Sequence, residues 1–119
     1  MPPFPQLDSK QIVEVANYVR SLSGLPADDL KAASGADLFK SSCAACHGAD
    51  GNGNIVLGAP NLTDKTWLYG GSEATIVETV TKGRMAMMPS QDKVLSPEKI
   101  HLLTAYVWGL SNNKTAVAK

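Results

Sequence analysis

The stretch Cys43-Ala44-Ala45-Cys46-His47 restricts this chain more than any other. Cys-x-x-Cys-His is the pattern by which a c-type haem is attached. On a helix, residues three and four apart share a face. Cys43 and Cys46 then reach one edge of a porphyrin and can add to its two vinyl groups, while His47 presents a ring nitrogen to the iron from the same side. The chain has 2 cysteines and 2 histidines, so this stretch holds both thiols and one of the imidazoles. Three other chemistries compete. A structural zinc site needs a second Cys or His pair to close its tetrahedron, and the sequence has none. A thioredoxin-like redox pair needs a βαβ setting, which this strand-poor sequence does not offer. A disulfide across so short a loop would stabilise little.

At 119 residues the chain has room for about one domain. Its 11 basic and 11 acidic residues cancel to a net charge of zero. That balance argues against a nucleic-acid surface and gives no sign of strong electrostatic steering. No apolar run approaches the ~18 residues that suggest a membrane span. The opening Met1-Pro2-Pro3-Phe4-Pro5 lacks the basic and apolar regions of a signal peptide.

Helix signals recur along the chain. Asp8 is an N-cap for a first helix over 9–22, with Ile12, Val15, Val19 and Leu22 on one stripe. Ser23-Gly24-Leu25-Pro26 ends it. Residues 24–33 read as a linker with room for a short helical turn at Asp28–Ala32. Ser34, followed by Asp37, predicts the start of a second helix that carries Phe39 and Cys43. Gly48 to Asn54 is rich in residues that tolerate positive φ. It has too few carboxylates for an EF-hand and reads as a turn around the haem edge. A metal-bound histidine commonly donates its second ring N–H to a carbonyl or carboxylate. The Pro60 carbonyl is the candidate partner for His47 Nδ1. Trp67 and Tyr69 suit a core, and each has a polar tip able to meet a haem propionate. Ser72 caps a third helix over 73–82, with Ile76, Val77 and Val80 inward and Gly83 ending it. Ser96 and Pro97 open the last helix. Ile100, Leu103, Tyr106, Val107 and Leu110 are its expected buried stripe. The tail over 112–119 is polar.

Haem iron in electron-transfer proteins is commonly held by His and Met. Met85, Met87 and Met88 are available. Met88 is the candidate because Pro89 restricts it to extended backbone, which helps hold a ligand loop across a haem face. His101, beside the apolar stripe of the last helix, reads as structural. Arg84 and Lys82 are candidates for the surroundings of the propionates, with a solvated role as the default.

These residues resemble a family. Gly35 to Leu110 is similar to a class I cytochrome c domain, with Cys43-x-x-Cys46-His47 early, Met88-Pro89 late and a closing helix that carries Tyr106. Three further stretches narrow the match: Leu57-Gly58-Ala59-Pro60-Asn61-Leu62-Thr63-Asp64, Trp67-Leu68-Tyr69-Gly70-Gly71 and Tyr106-Val107-Trp108-Gly109-Leu110-Ser111. Together they resemble the second haem domain of the dihaem cytochrome subunit of cbb3-type cytochrome c oxidases. The resemblance implies an all-α class I cytochrome c fold of four to five helices around one covalent haem c. It implies that the first and last helices cross near Gly35, Phe39 and Tyr106. It also implies axial ligation by His47 and Met88, with Cys43 and Cys46 covalently attached and Pro60, Trp67, Tyr69 and Arg84 in the haem environment.

The function so implied is a one-electron relay into a haem–copper oxidase. No substrate bond is made or broken by the domain. Its partners would be the other haem subunits of a terminal oxidase and a soluble cytochrome donor, with no nucleic acid. Its place would be the periplasmic side of the bacterial inner membrane, reached through targeting and anchoring parts outside this sequence. A free-standing small cytochrome, the haem subunit of a dehydrogenase and a haem-free thiol redox protein are the alternatives.

The two ends of the chain also resemble each other. Leu7-Asp8-Ser9-Lys10-Gln11-Ile12 parallels Leu95-Ser96-Pro97-Glu98-Lys99-Ile100. Tyr18-Val19-Arg20-Ser21-Leu22-Ser23 parallels Tyr106-Val107-Trp108-Gly109-Leu110-Ser111 in the same register, and Met1-Pro2 parallels Met88-Pro89 with a one-residue gap. Similarity at a fixed offset signals a repeated unit. Residues 1–23 are therefore expected to be the end of a preceding cytochrome domain. Residues 24–33 follow as linker, 34–111 as the haem domain and 112–119 as tail.

Overall fold

The computed structural model describes residues 1–112, and among them the regular structure is helical. A single isolated antiparallel bridge joins Asn54 and Ala59. No helix among the described residues is long and apolar enough to cross a membrane. The chain divides into two units, Met1–Met85 and the residues from Ala86 onward.

The first unit holds four helices. α1 runs Ser9–Leu22. The Asp8 carboxylate accepts the Gln11 N–H at 2.8 Å, and the Gln11 side chain accepts the Asp8 N–H at 3.0 Å. This reciprocal capping satisfies donors that the first turn leaves open. α2 runs Asp29–Ser42 and starts earlier than the sequence suggests. Asp28 is its N-cap, accepting from the Leu30 and Lys31 N–H groups at 3.1 Å each. The Asp28 N–H is itself held by Asn17 Oδ1 at 3.0 Å. Ser34, expected to begin the helix, lies within it and bonds back to the Leu30 carbonyl at 3.2 Å. The expected linker over 24–33 is thus helical from Asp29. α3 is the short turn Ala44–His47. α4 runs Glu73–Lys82, opened by Ser72 Oγ on the Thr75 N–H at 3.1 Å and closed at Gly83.

α1 and α2 pack so closely at Gly35 that a Cβ there would fall onto the Glu14 carbonyl. Ile12, Val15, Ala16 and Val19 of α1 form the core with Phe39 of α2 and Ile76 and Val80 of α4. Full burial of such a side chain is worth about 1.5–3 kcal/mol. Phe39 is completely buried, with the Tyr18 ring tilted against it at 5.2 Å. The resemblance implied Tyr106 near Phe39; within the first unit it is Tyr18 that packs on this ring. Polar ties add to the apolar stripe that holds α1. Asn17 donates to Glu73 Oε2 at 2.9 Å, and Arg20 donates to the carbonyls of Gly71 and Pro26.

The second unit carries α5, Pro97–Asn112. Turns at Gln91–Leu95 lead into it. Ser96 caps it weakly, its Oγ 3.5 Å from the Lys99 N–H. None of its residues is buried, and Tyr106 is 67% exposed. The stripe of Ile100, Leu103, Tyr106, Val107 and Leu110 is therefore not the buried face expected from the sequence. The polar tail beyond Asn112 lies outside the described residues.

Candidate haem-binding site

The Cys-x-x-Cys-His stretch sits where α2 gives way to α3. Cys43 leaves the helix at φ −114° and serves both elements as a cap. Its carbonyl accepts from the Cys46 N–H at 3.1 Å and the His47 N–H at 3.0 Å. Gly48, at φ 83°, stops the turn by donating to the Ala44 carbonyl at 2.8 Å. Both cysteines are free thiols; Cys43 is half-buried against the core, and Cys46 is exposed. Burial pushes the Cys43 thiol up to about 11, with the neighbouring Cys46 adding to the rise. A catalytic or metal-binding thiol needs the opposite shift, because the thiolate is the reactive form.

His47 is aimed by the loop that follows it. Its Nδ1 lies 3.0 Å from the Pro60 carbonyl oxygen. A carbonyl can only accept, so Nδ1 carries the proton and Nε2 keeps its lone pair for a metal. The loop is folded back by Gly53 N–H to the His47 carbonyl and Leu62 N–H to the Gly51 carbonyl, each at 2.7 Å. Asn54 and Ala59 exchange two bonds of 2.9 Å across it. Gly53, at φ 84°, approaches so near that a Cβ would stand 2.7 Å from both the Ala59 oxygen and the Asn61 nitrogen. The glycine-rich loop therefore presents Pro60 to His47.

The remaining predicted residues divide. Trp67 packs beside the core, and its indole Nε1 is a buried donor with no partner. The Arg84 guanidinium stacks 4.3 Å over the Tyr69 ring while its Nε donates to Thr79 Oγ1 at 3.0 Å. Met88 belongs to the second unit, where it is 88% exposed; Met85 and Met87 are exposed as well. His101 is exposed on α5. Asn17 and Arg20, which tie α1 in place, are not among the residues the sequence singles out. The available signal was a polar side chain set among the apolar positions of α1.

Among the described residues, no group of three or more His, Cys, Asp and Glu side chains could hold a metal ion. The residues present do fit a haem c. They supply two free thiols at the right spacing, an imidazole with Nε2 free and an orphaned indole donor. Leu57 and Leu68, on the neighbouring loops, are exposed apolar side chains.

Comparison with known proteins agrees with this chemistry. Residues 30–107 match the family described as cytochrome c oxidase, cbb3-type, subunit III. The chain is 50% identical over 109 residues to the cbb3-type cytochrome c oxidase subunit FixP of Bradyrhizobium sp. (strain ORS 278), covering 91% of this chain and 38% of that protein. It is 50% identical over 109 residues to FixP of Azorhizobium caulinodans, covering 91% and 37%. It is 47% identical over 108 residues to subunit CcoP of Cereibacter sphaeroides, again covering 91% and 37%. The chain thus spans less than two-fifths of the length of the curated relatives it matches. With this match on a helical chain that carries a Cys-x-x-Cys-His turn, the protein belongs to the cbb3-type cytochrome c oxidase subunit III family and has its all-α class I cytochrome c fold.

Proposed function

We propose that this chain is a one-electron relay that passes electrons into a haem–copper terminal oxidase. The observation that carries the reading is His47, its Nδ1 committed to the Pro60 carbonyl and its Nε2 free, one residue beyond a Cys-x-x-Cys pair. Cys43 and Cys46 would hold a single haem c through thioether bonds, and His47 and Met88 would supply the axial ligands. When bound, the group supplies a ferric–ferrous couple, whose potential is raised by thioether ligation. The protein's own part is positional. The loop from Gly51 to Leu62 fixes the imidazole, and the Trp67 indole N–H, the Arg84 guanidinium and the Tyr69 phenol would be available to the group's propionates. With His47 and Met88 as its ligands, the group would have no site for oxygen or peroxide, and the domain would transfer electrons without a bond change. The Cys43 thiol, pushed up by burial, is a poor nucleophile, which disfavours a thiol redox protein.

The relatives' names support the other haem subunits of a cbb3-type oxidase as partners. A soluble cytochrome is the proposed donor, and the periplasmic side of the inner membrane is the proposed location. The repeat supports reading residues 1–23 as the end of a preceding cytochrome domain, joined by 24–33 to a haem domain over 34–111. The test is a reconstituted transfer assay. The reduced, haem-loaded chain should reduce a cbb3-type oxidase faster than it reduces an unrelated acceptor of similar potential. Reduction of the unrelated acceptor alone would point to a free carrier or a dehydrogenase subunit.

A further inference from the structure

The loop that presents Pro60 to His47 holds a pair of residues with a chemistry of its own. Asn52-Gly53 is the single Asn-Gly pair in the sequence. An asparagine side-chain amide is an electrophile within reach of the next backbone nitrogen, and a following glycine leaves that nitrogen unhindered. The other asparagines of the loop are engaged or shielded. Asn54 Oδ1 accepts the Val56 and Leu57 N–H groups at 3.0 and 3.2 Å. Asn61 Oδ1 accepts the Thr63 N–H at 2.8 Å and the Thr63 hydroxyl at 2.7 Å. Both asparagines also precede branched side chains, Ile55 and Leu62. Asn52 is exposed, and the Thr63 hydroxyl meets its Oδ1 at 3.5 Å, the outer limit of a hydrogen bond.

What restrains this pair is the fold of the loop. The Gly53 N–H donates to the His47 carbonyl at 2.7 Å. The nitrogen must leave this bond and give up its proton before it can attack. Gly53 is also wedged in place. Its φ is 84°, and a Cβ would stand 2.7 Å from the Ala59 oxygen and the Asn61 nitrogen, on either side of Pro60. A bulkier residue that would shield the nitrogen has no room at position 53, so the reactive glycine is imposed by the loop.

We propose that Asn52 is a site of spontaneous modification, restrained by the bond from Gly53 to His47, whose isoaspartate product releases His47 from Pro60. In the first step Gly53 N bonds to Asn52 Cγ, the Cγ–Nδ2 bond breaks, and ammonia leaves with the proton from Gly53 N. The product is a cyclic imide. Water then opens the ring at either of its carbonyls, giving aspartate or isoaspartate. In isoaspartate the main chain runs through Cβ and Cγ and is one atom longer. The close fit around Gly53 has no slack for that atom, so the Pro60 carbonyl shifts relative to His47 Nδ1. The reaction requires neither haem nor a partner, and it stands apart from the electron-relay reading.

Peptide mapping by mass spectrometry tests this on the full chain, incubated in mildly alkaline buffer with and without urea. In urea Asn52 should convert faster than Asn54 and Asn61. Without urea its conversion should slow by about tenfold or more, since attack then awaits local opening of the loop. The isoaspartate form, separated by chromatography, should lose to solvent exchange the NMR signal of the His47 Nδ1 proton that the parent chain shows. Asn52→Asp brings the charge without the extra backbone atom and should keep that signal. The proposal is overturned if Asn52 converts no faster than Asn54 and Asn61 in urea, or if urea leaves its rate unchanged. It is equally overturned if the isoaspartate form keeps the His47 signal or if Asn52→Asp loses it.

Discussion

His47 has one ring nitrogen committed to the Pro60 carbonyl, so its chemistry is decided by the nitrogen that remains. Nε2 would hold the iron, and Met88 is the proposed thioether ligand. Met88→Ala should remove the sulfur-to-iron charge-transfer band near the red end of the visible spectrum. A band that survives this change and disappears in Met85→Ala or Met87→Ala would move the ligand to that residue. Cys43 gives a second residue-scale test. In the haem-free chain its folded pKa is about 11 against an ordinary 9.0, raised first by burial and then by Cys46. Below pH 9 the thiol is protonated in both folded and unfolded states. Between 9 and about 11 the unfolded chain loses this proton before the folded chain does, so stability falls as pH rises through that window. Urea midpoints measured across it should drop for the haem-free chain, and this component of the drop should vanish in Cys43→Ala. Once a thioether has formed, the group no longer titrates.

Helices whose ends carry a side-chain cap and a glycine stop are legible in the sequence, and α1, α4 and α5 begin where Asp8, Ser72 and Ser96 predict. The start of α2 is ambiguous in the sequence because two capping residues, Asp28 and Ser34, lie within two helical turns of each other. The partner of Asp28 that decides between them, Asn17, comes from another helix. The Pro60 carbonyl beside His47 Nδ1 is legible too, since it follows from what a histidine held for a metal would need. What ties α1 to its neighbours is not: the bonds of Asn17 and Arg20 reach partners distant in sequence. The glycine at the crossing is legible too, and it yields a prediction. Gly35→Val places a Cβ on the Glu14 carbonyl and should cost roughly 1–3 kcal/mol by overpacking, read as a lowered urea midpoint. An unchanged midpoint would mean that α1 does not approach α2 there.

For the whole molecule, a net charge of zero gives little long-range steering, so docking on an oxidase would depend on local contacts around the haem edge. The chain corresponds to under two-fifths of the relatives' length, and within that span it contains one attachment motif. Everything proposed about electron transfer therefore rests on one covalent group. The most direct measurement is a pyridine haemochrome spectrum of the denatured chain, produced where bacterial haem attachment operates. One haem per chain should stay with the polypeptide through denaturation and be lost from the Cys43→Ala, Cys46→Ala double variant. Denatured protein without a haem band, or a band that separates from the polypeptide, would contradict the electron-relay function.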